Sequence, residues 1–422
     1  MINPYENVDF GTASRVFSVS HQHLRHARYI SDDTPYSEEK KQEAKNSAKN
    51  ACQSVFDGIY DSGVKHFALS RYRPCITTYP FDYENNSFTY VANPWKSTED
   101  IETLKQNWGV AIDIDDDVIG CPNAEHVYPH VLVNGVWKIW RRMHINGLGS
   151  LYESFTNPDP KNGYNGRAYS DGLAMHYPDA IDAILNGLQY TDGGGIIINH
   201  PHWTGEDSLG CDIERFIKDC LDYDQRVLGT DIIASASFNS YDYNKQLIDN
   251  ILLTGRRCWL FCQADWDEHE RHRGRNELLI PNGLSTKADK EHACLKAYRD
   301  GAFFGRWANT DLSITNVSFS GNVFSLTADN ADGIIVVVDG EEHIESGNSV
   351  EITVPNDAVY VRAAAYKEPS AGSEYLYDDI VFTNPIMVNP RTYEYDPMYD
   401  GQGEDDPEPA YNENKRKLWF WG

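Results

Sequence analysis

The sequence predicts an α/β barrel followed by a small antiparallel β-sandwich. Three observations predict it. From residue 16 to about 305, short apolar runs alternate with amphipathic helical stretches. Several of those runs, GGIIIN among them, are apolar throughout. After Trp307 the pattern changes to short alternating runs with Gly, Asn and Asp about every ten residues. A strand without polar alternation is covered on both faces, as parallel strands between helices are. Long strand–helix alternation then favours a barrel whose chemistry lies at the strands' C-terminal ends. The later alternating runs read as a sandwich.

The elements follow in order. VFSVS (16–20), HFALS (66–70), GVAID (109–113), GGIIIN (194–199), TDIIASASF (230–238) and CWLFCQA (258–264) are the candidate strands. Ser37 followed by two glutamates opens a long helix that Gly63 ends. Residues 177–189, 212–224 and 244–255 carry further amphipathic helices. Between 126 and 143 the rhythm breaks: HVYPHVLV and VWKIWRRM flank Asn134-Gly135, a strong hairpin signal, read as an insertion near the barrel mouth. The predicted division is therefore a barrel over 1–306, a sandwich over 307–389 and a tail over 390–422, acidic and then ending in LWFWG.

Composition narrows the function classes. The formal charge is −27, from 64 acidic and 37 basic residues. Such a surface repels nucleic acid and anionic membrane, so neither is an expected partner. The N-terminal residues show no basic and apolar leader, no apolar run approaches membrane-spanning length, and the eight cysteines have no C-x-x-C spacing. A cytoplasmic location with reduced thiols is the expectation. Cys258 and Cys262 lie in the apolar segment RCWLFCQA and read as core. The sandwich and the aromatic tail are candidate surfaces for homo-oligomer assembly.

The chemistry-bearing residues cluster at segment ends. SVSHQHL places His21 and His23 two apart where a strand stops, so both rings point to one side. Alone, one H-x-H is weak evidence of a metal site. Other segment ends add to it: INHPHW presents His200 and His202, ADWDEHE presents Asp265, Asp267 and His269, PNAEH presents Glu125, and RRMHINGLG presents His144. Imidazoles and carboxylates converging on one mouth suit divalent metal ions.

In that order, SHQHL, PNAEH, MHINGLG, INHPHW and DWDEH resemble the PHP (polymerase and histidinol phosphatase) superfamily of metal-dependent hydrolases, closest to its carbaryl-hydrolase-like branch with a C-terminal β-domain. The resemblance covers roughly 15–305 and implies a distorted (βα)7 TIM-like barrel. It also implies that His21, His23, Glu125 and Asp267 hold one metal, and that Glu125 bridges to a second completed by His144 and His200. Mixed nitrogen and oxygen donors fit zinc, manganese or iron. The implied activity is hydrolysis by a metal-bridging hydroxide, foremost of a small anionic phosphate ester. Carboxylic or carbamic ester and amide hydrolysis on the same site is an alternative, as is a degenerate, non-catalytic binding protein.

The departures from the family pattern matter too. Where relatives carry an Asp-His pair after the second strand, this chain has SRYRPC, so two metals are expected and the third site is expected to be absent. Arg71 or Arg73 is then placed to bind a substrate anion, and ERHRGR adds Arg271 and Arg273 beside the site. A solvated charged loop or surface salt bridges would give the same sequence. His202 and His269 are the candidates for protonating a leaving group.

Overall fold

The computed structural model describes residues 1–24, 37–71, 75–92, 101–127, 130–139, 143–152, 176–206, 212–234, 240–265, 274–308, 311–373, 376–391 and 403–405. The chain opens with β1 (Ser14–Gln22), α1 (Glu38–Asp61) and β2 (Val64–Leu69). Ser37 caps α1 by accepting the Lys40 N–H, and Gly63, at φ +96°, makes the left-handed turn into β2. Next come β3 (Cys75–Thr77), β4 (Ser87–Ala92), α2 (Ile101–Trp108), β5 (Gly109–Asp113) and β6 (Ile119–Gly120). β7 (Glu125–Val127) precedes a hairpin of β8 (His130–Val133) and β9 (Val136–Ile139). Its turn residues Asn134 and Gly135 both have positive φ. β10 (His144–Leu148) follows.

The middle of the chain alternates as α3 (Tyr177–Asn186), β11 (Gly195–Asn199), α4 (Ile213–Tyr223), β12 (Val227–Ile233), α5 (Tyr241–Leu253) and β13 (Trp259–Cys262). β14 (Gly274–Ile280), α6 (Lys287–Asp300) and β15 (Phe303–Trp307) lead out of it. The remainder is antiparallel: β16 (Ser313–Ser320), β17 (Val323–Asp329), β18 (Gly333–Val338), β19 (Glu341–Ser346), β20 (Ser349–Thr353), β21 (Tyr360–Lys367) and β22 (Asp379–Thr383).

The predicted (βα)7 TIM-like barrel is not what these elements build. The described residues hold six α-helices against more than twenty strands, and no sheet closes on itself. One mixed sheet runs β19-β18-β21-β22-β15-β14-β1-β2-β6, and a second runs β13-β12-β11-β10-β7. Only β1-β2-β6 and β11-β12-β13 are parallel trios; β10, β7, β14 and β15 join them antiparallel. β5 belongs to a separate antiparallel sheet with β3 and β4. Two single bridges, Gln22 with Asp265 and Arg71 with Ala124, tie the two large sheets together at one end.

The missed strands explain the error. β14 and β15 carry Arg275, Glu277 and Arg306, each no more than 4% exposed, so neither segment reads as an apolar core strand. Glu277 lies between Arg15 at 2.5 Å and Arg306 at 3.2 Å, and Arg306 also donates to the Leu312 carbonyl at 2.6 Å. Charges buried this way are tolerated because they are paired.

The strands that were read as covered on both faces are so. Ile196 and Ile198 of β11 pack with α3, α4 and α5, whereas Ile197 faces Leu228, Phe261, Leu278 and α6. Burying each such side chain contributes about 1.5–3 kcal/mol. β18 behaves likewise: Ile335 and Val337 belong to the helix-covered core, while Ile334, Val336 and Val338 pack on Ile314, Val317, Phe324 and Leu326 of the β16-β17-β20 sheet. β15 hydrogen-bonds both β14 and β22, so the C-terminal strands extend the same sheet that carries β1.

Candidate metal centre

β1 ends at the site. Its pairing with β2 shifts register between Val19 and Gln22, an irregularity of the kind that re-aims side chains. His21 and His23 keep the same side, with their Nε2 atoms 3.3 Å apart. Glu125 comes from the first residue of β7, whose N–H bonds the Arg71 carbonyl at 3.1 Å beyond the end of β2. Asp265 follows β13 and is stitched to β1: its N–H bonds the His21 carbonyl at 3.0 Å, and its carbonyl accepts the His23 N–H at 2.9 Å. His144 starts β10, and His200 directly follows β11.

Two ligand groups result, one of His21, His23, Glu125 and Asp265 and one of Glu125, His144 and His200. Within each, the donor atoms all lie within 4.8 Å of one another. Glu125 is common to both. Its Oε2 lies 2.7 Å from His23 Nε2, and its Oε1 lies 2.6 Å from His144 Nδ1, 3.3 Å from His21 Nε2 and 3.6 Å from His200 Nε2. Asp265 Oδ1 is 3.3 Å from the Nε2 of both His21 and His23. The first group has four ligands, all buried. The second has three, and its His144 side chain is 18% exposed where the other five ligands are at 3% or less.

Electrostatics here are set by mutual proximity. Burial alone would lower the His21 and His23 pKa values, but the Asp265 and Glu125 carboxylates outweigh it and raise both, His21 strongly. Burial would raise Glu125 and Asp265; the imidazoles hold Glu125 well below the carboxylate range, and His21 and His23 hold Asp265 low. Burial brings His200 and His202 down to about 4, so both are neutral at pH 7. It pushes Asp231 up to about 8.

The donor set fits divalent metal ions. Both ring nitrogens of His200 lack a hydrogen-bond partner among the described residues, although the residue is 1% exposed. A buried imidazole unbonded at both nitrogens is costly, and a metal on Nε2 relieves that cost at one of them. His23 Nδ1 lies 2.9 Å from the Ser70 carbonyl, which selects the Nδ1–H tautomer as donor and leaves its Nε2 lone pair for the site.

Beneath the ligands lies a layer of buried amides. Asn123 and Asn146 both donate to the Ser20 carbonyl at 2.9 Å, and Asn199 donates to Asn146 Oδ1 at 2.9 Å. These bonds lock the ends of β1, β10 and β11 together just under the site. Two ligands also hold left-handed backbone, His200 at φ +34° and Asp265 at φ +57°. Such a conformation costs about 1–3 kcal/mol for a residue bearing a Cβ and clusters at functional sites.

Of the residues singled out from sequence, His21, His23, Glu125, His144 and His200 come together. Asp265 completes the first group; Asp267, the expected fourth ligand, lies outside the described residues, as do Arg73, His269, Arg271 and Arg273. His202 is half-buried in the short helical turn Pro201–Glu206, beside Trp203. Arg71 is buried, and its Nε donates to the Asn123 carbonyl at 3.2 Å, next to the residues leading into β7. Cys258 and Cys262 are buried and belong to neither ligand group. No helix among the described residues is long and apolar enough to cross a membrane. Sequence reasoning missed Asp231 and the asparagine layer, because isolated Asp and Asn residues in strands carry no spacing signal. Comparison with models of protein families, with characterised proteins and with solved structures finds no match for this chain.

Proposed function

We propose that the chain is a two-metal hydrolase acting on a small anionic phosphate ester. The observation that carries the reading is the asymmetric pair of groups joined at Glu125. A closed, buried four-ligand group is the pattern of a tightly held ion. A three-ligand group of two histidines and one glutamate, with one partly exposed member, leaves a position open for reaction. Ions bound there would supply Lewis acidity, acidifying a water and offsetting charge on the phosphoryl oxygens.

The chain's own residues do the rest. Glu125 holds the two groups together through both carboxylate oxygens. His144, as the one partly exposed ligand, marks the side from which substrate enters. His202, in the short helical turn that follows His200, is the residue assigned to protonate the leaving group. Arg71, whose Nε donates to the Asn123 carbonyl two residues before Glu125, supports a phosphate over an uncharged ester. The order of ligand motifs resembling the PHP superfamily supports the same class.

The test is to measure bound metal in protein purified without chelator, then to assay p-nitrophenyl phosphate, bis-p-nitrophenyl phosphate and p-nitrophenyl acetate with added zinc or manganese. Phosphoester turnover that disappears in His144→Ala supports the proposal. Turnover of the acetate alone would move the assignment to carbon esters, and no metal uptake would remove it.

A further inference from the structure

We propose that Asp231 is the positioning residue that holds His200 in ligating geometry, so that it governs occupancy of the open group alone. The inference rests on the metal-centre reading above and names the residue that controls one half of it. Asp231 is fully buried on β12, where the pairing of Ile198 with Thr230 brings it beside the chain as it leaves β11. Its Oδ2 accepts the backbone N–H of His200 at 2.6 Å. That bond falls on the residue with the most unusual backbone of the site. Seven described non-glycine residues have positive φ, and His200 is the one that is neither Asn nor Asp.

Among the described residues, no hydrogen bond at Nδ1 backs up this hold. A metal-binding histidine ordinarily has its second ring nitrogen fixed by a hydrogen bond. His23 has such a bond, to the Ser70 carbonyl, whereas His200 has none at either nitrogen among the described residues. Its ring is set by the backbone from which it projects and by Trp203, whose ring centroid is 4.2 Å away. The short bond to Asp231 therefore fixes the backbone from which Nε2 faces Glu125 Oε1. The four-ligand group does not include His200, so this contact acts directly on the open group alone.

The experiment is zinc stoichiometry and affinity, by mass spectrometry and chelator competition, on the full chain with Asp231→Val, Asp231→Asn and His200→Ala. Asn keeps an acceptor for the His200 N–H; Val suits the buried strand and keeps none. Wild type and Asp231→Asn are expected to hold about two equivalents. Asp231→Val is expected to bind its second zinc about 10–100-fold more weakly, like His200→Ala, while the first stays bound. Three results would overturn the inference: unchanged second-site affinity in Asp231→Val, loss of both ions in that variant, or Asp231→Asn behaving like Asp231→Val. Should Asp231→Val not fold, Asp231→Ala carries the same prediction. Absence of zinc uptake by wild type would instead bring down the metal-centre reading itself.

Discussion

Glu125→Gln should abolish most of the thermal stabilisation that zinc gives, and the structure sets the size of the effect. An ion present at a hundred times its dissociation constant stabilises by about 2.7 kcal/mol per site. The two ligand groups together therefore give about 5.4 kcal/mol. Unfolding entropy near 2.1 cal/mol/K per residue, over 422 residues, is about 0.9 kcal/mol/K, so wild type should gain about 6 °C. Glu125→Gln leaves the first group three ligands and the second two. If each site binds a hundredfold more weakly, each retains about 0.4 kcal/mol and the gain shrinks to about 1 °C. His144→Ala spares the first group, so it should keep about 3 °C, half of the wild-type gain. Differential scanning calorimetry with and without zinc reads all three, each variant against its own metal-free state. An undiminished gain in Glu125→Gln would falsify the shared-ligand geometry. Complete loss in His144→Ala would show that the groups do not bind independently.

Further outcomes follow from the same contacts. Zinc uptake should strengthen as pH rises through neutrality, because His21 and His23, with pKa values raised by Glu125 and Asp265, must give up protons to bind; His200, at about 4, has none to give. Calorimetry in buffers of different ionisation enthalpy measures that release, and no proton release between pH 6 and 8 would contradict it. Asp249→Ala should lower stability by about 3–5 kcal/mol, since it strips the buried Arg362 of its two-bond carboxylate partner on α5; urea denaturation measures this. Burial raises Glu291 to about 7, so its protonated form favours the folded state, and that contribution fades as pH climbs from about 4.5 through 7. Glu291→Gln should still accept the Tyr79 hydroxyl hydrogen bond while flattening the pH 5 to pH 8 stability loss by about 1–3 kcal/mol; an unchanged slope in denaturation at the two pH values would refute it.

Much of the site was legible because ligand chemistry and strand periodicity are local. H-x-H at a strand end puts two rings on one side whatever the strand pairs with, and His21 and His23 meet as that rule requires. The Asn134-Gly135 turn and the helices after Ser37 and around residues 177, 212 and 244 are likewise written in neighbouring residues. Local pattern does not say which strand lies beside which. The barrel expectation failed there: β14 and β15 hide behind charged residues that are buried only because Arg15, Glu277 and Arg306 pair across distant strands. Nor does spacing bring Asp265 to the two histidines, since that depends on the bonds that β1 makes to the backbone of Asp265. Sequence alone determined the kinds of ligand and the faces from which they project. Only the tertiary structure decided the sheet order and the hold of Asp231 on His200, because each is a contact between segments whose separation along the chain leaves no periodic trace.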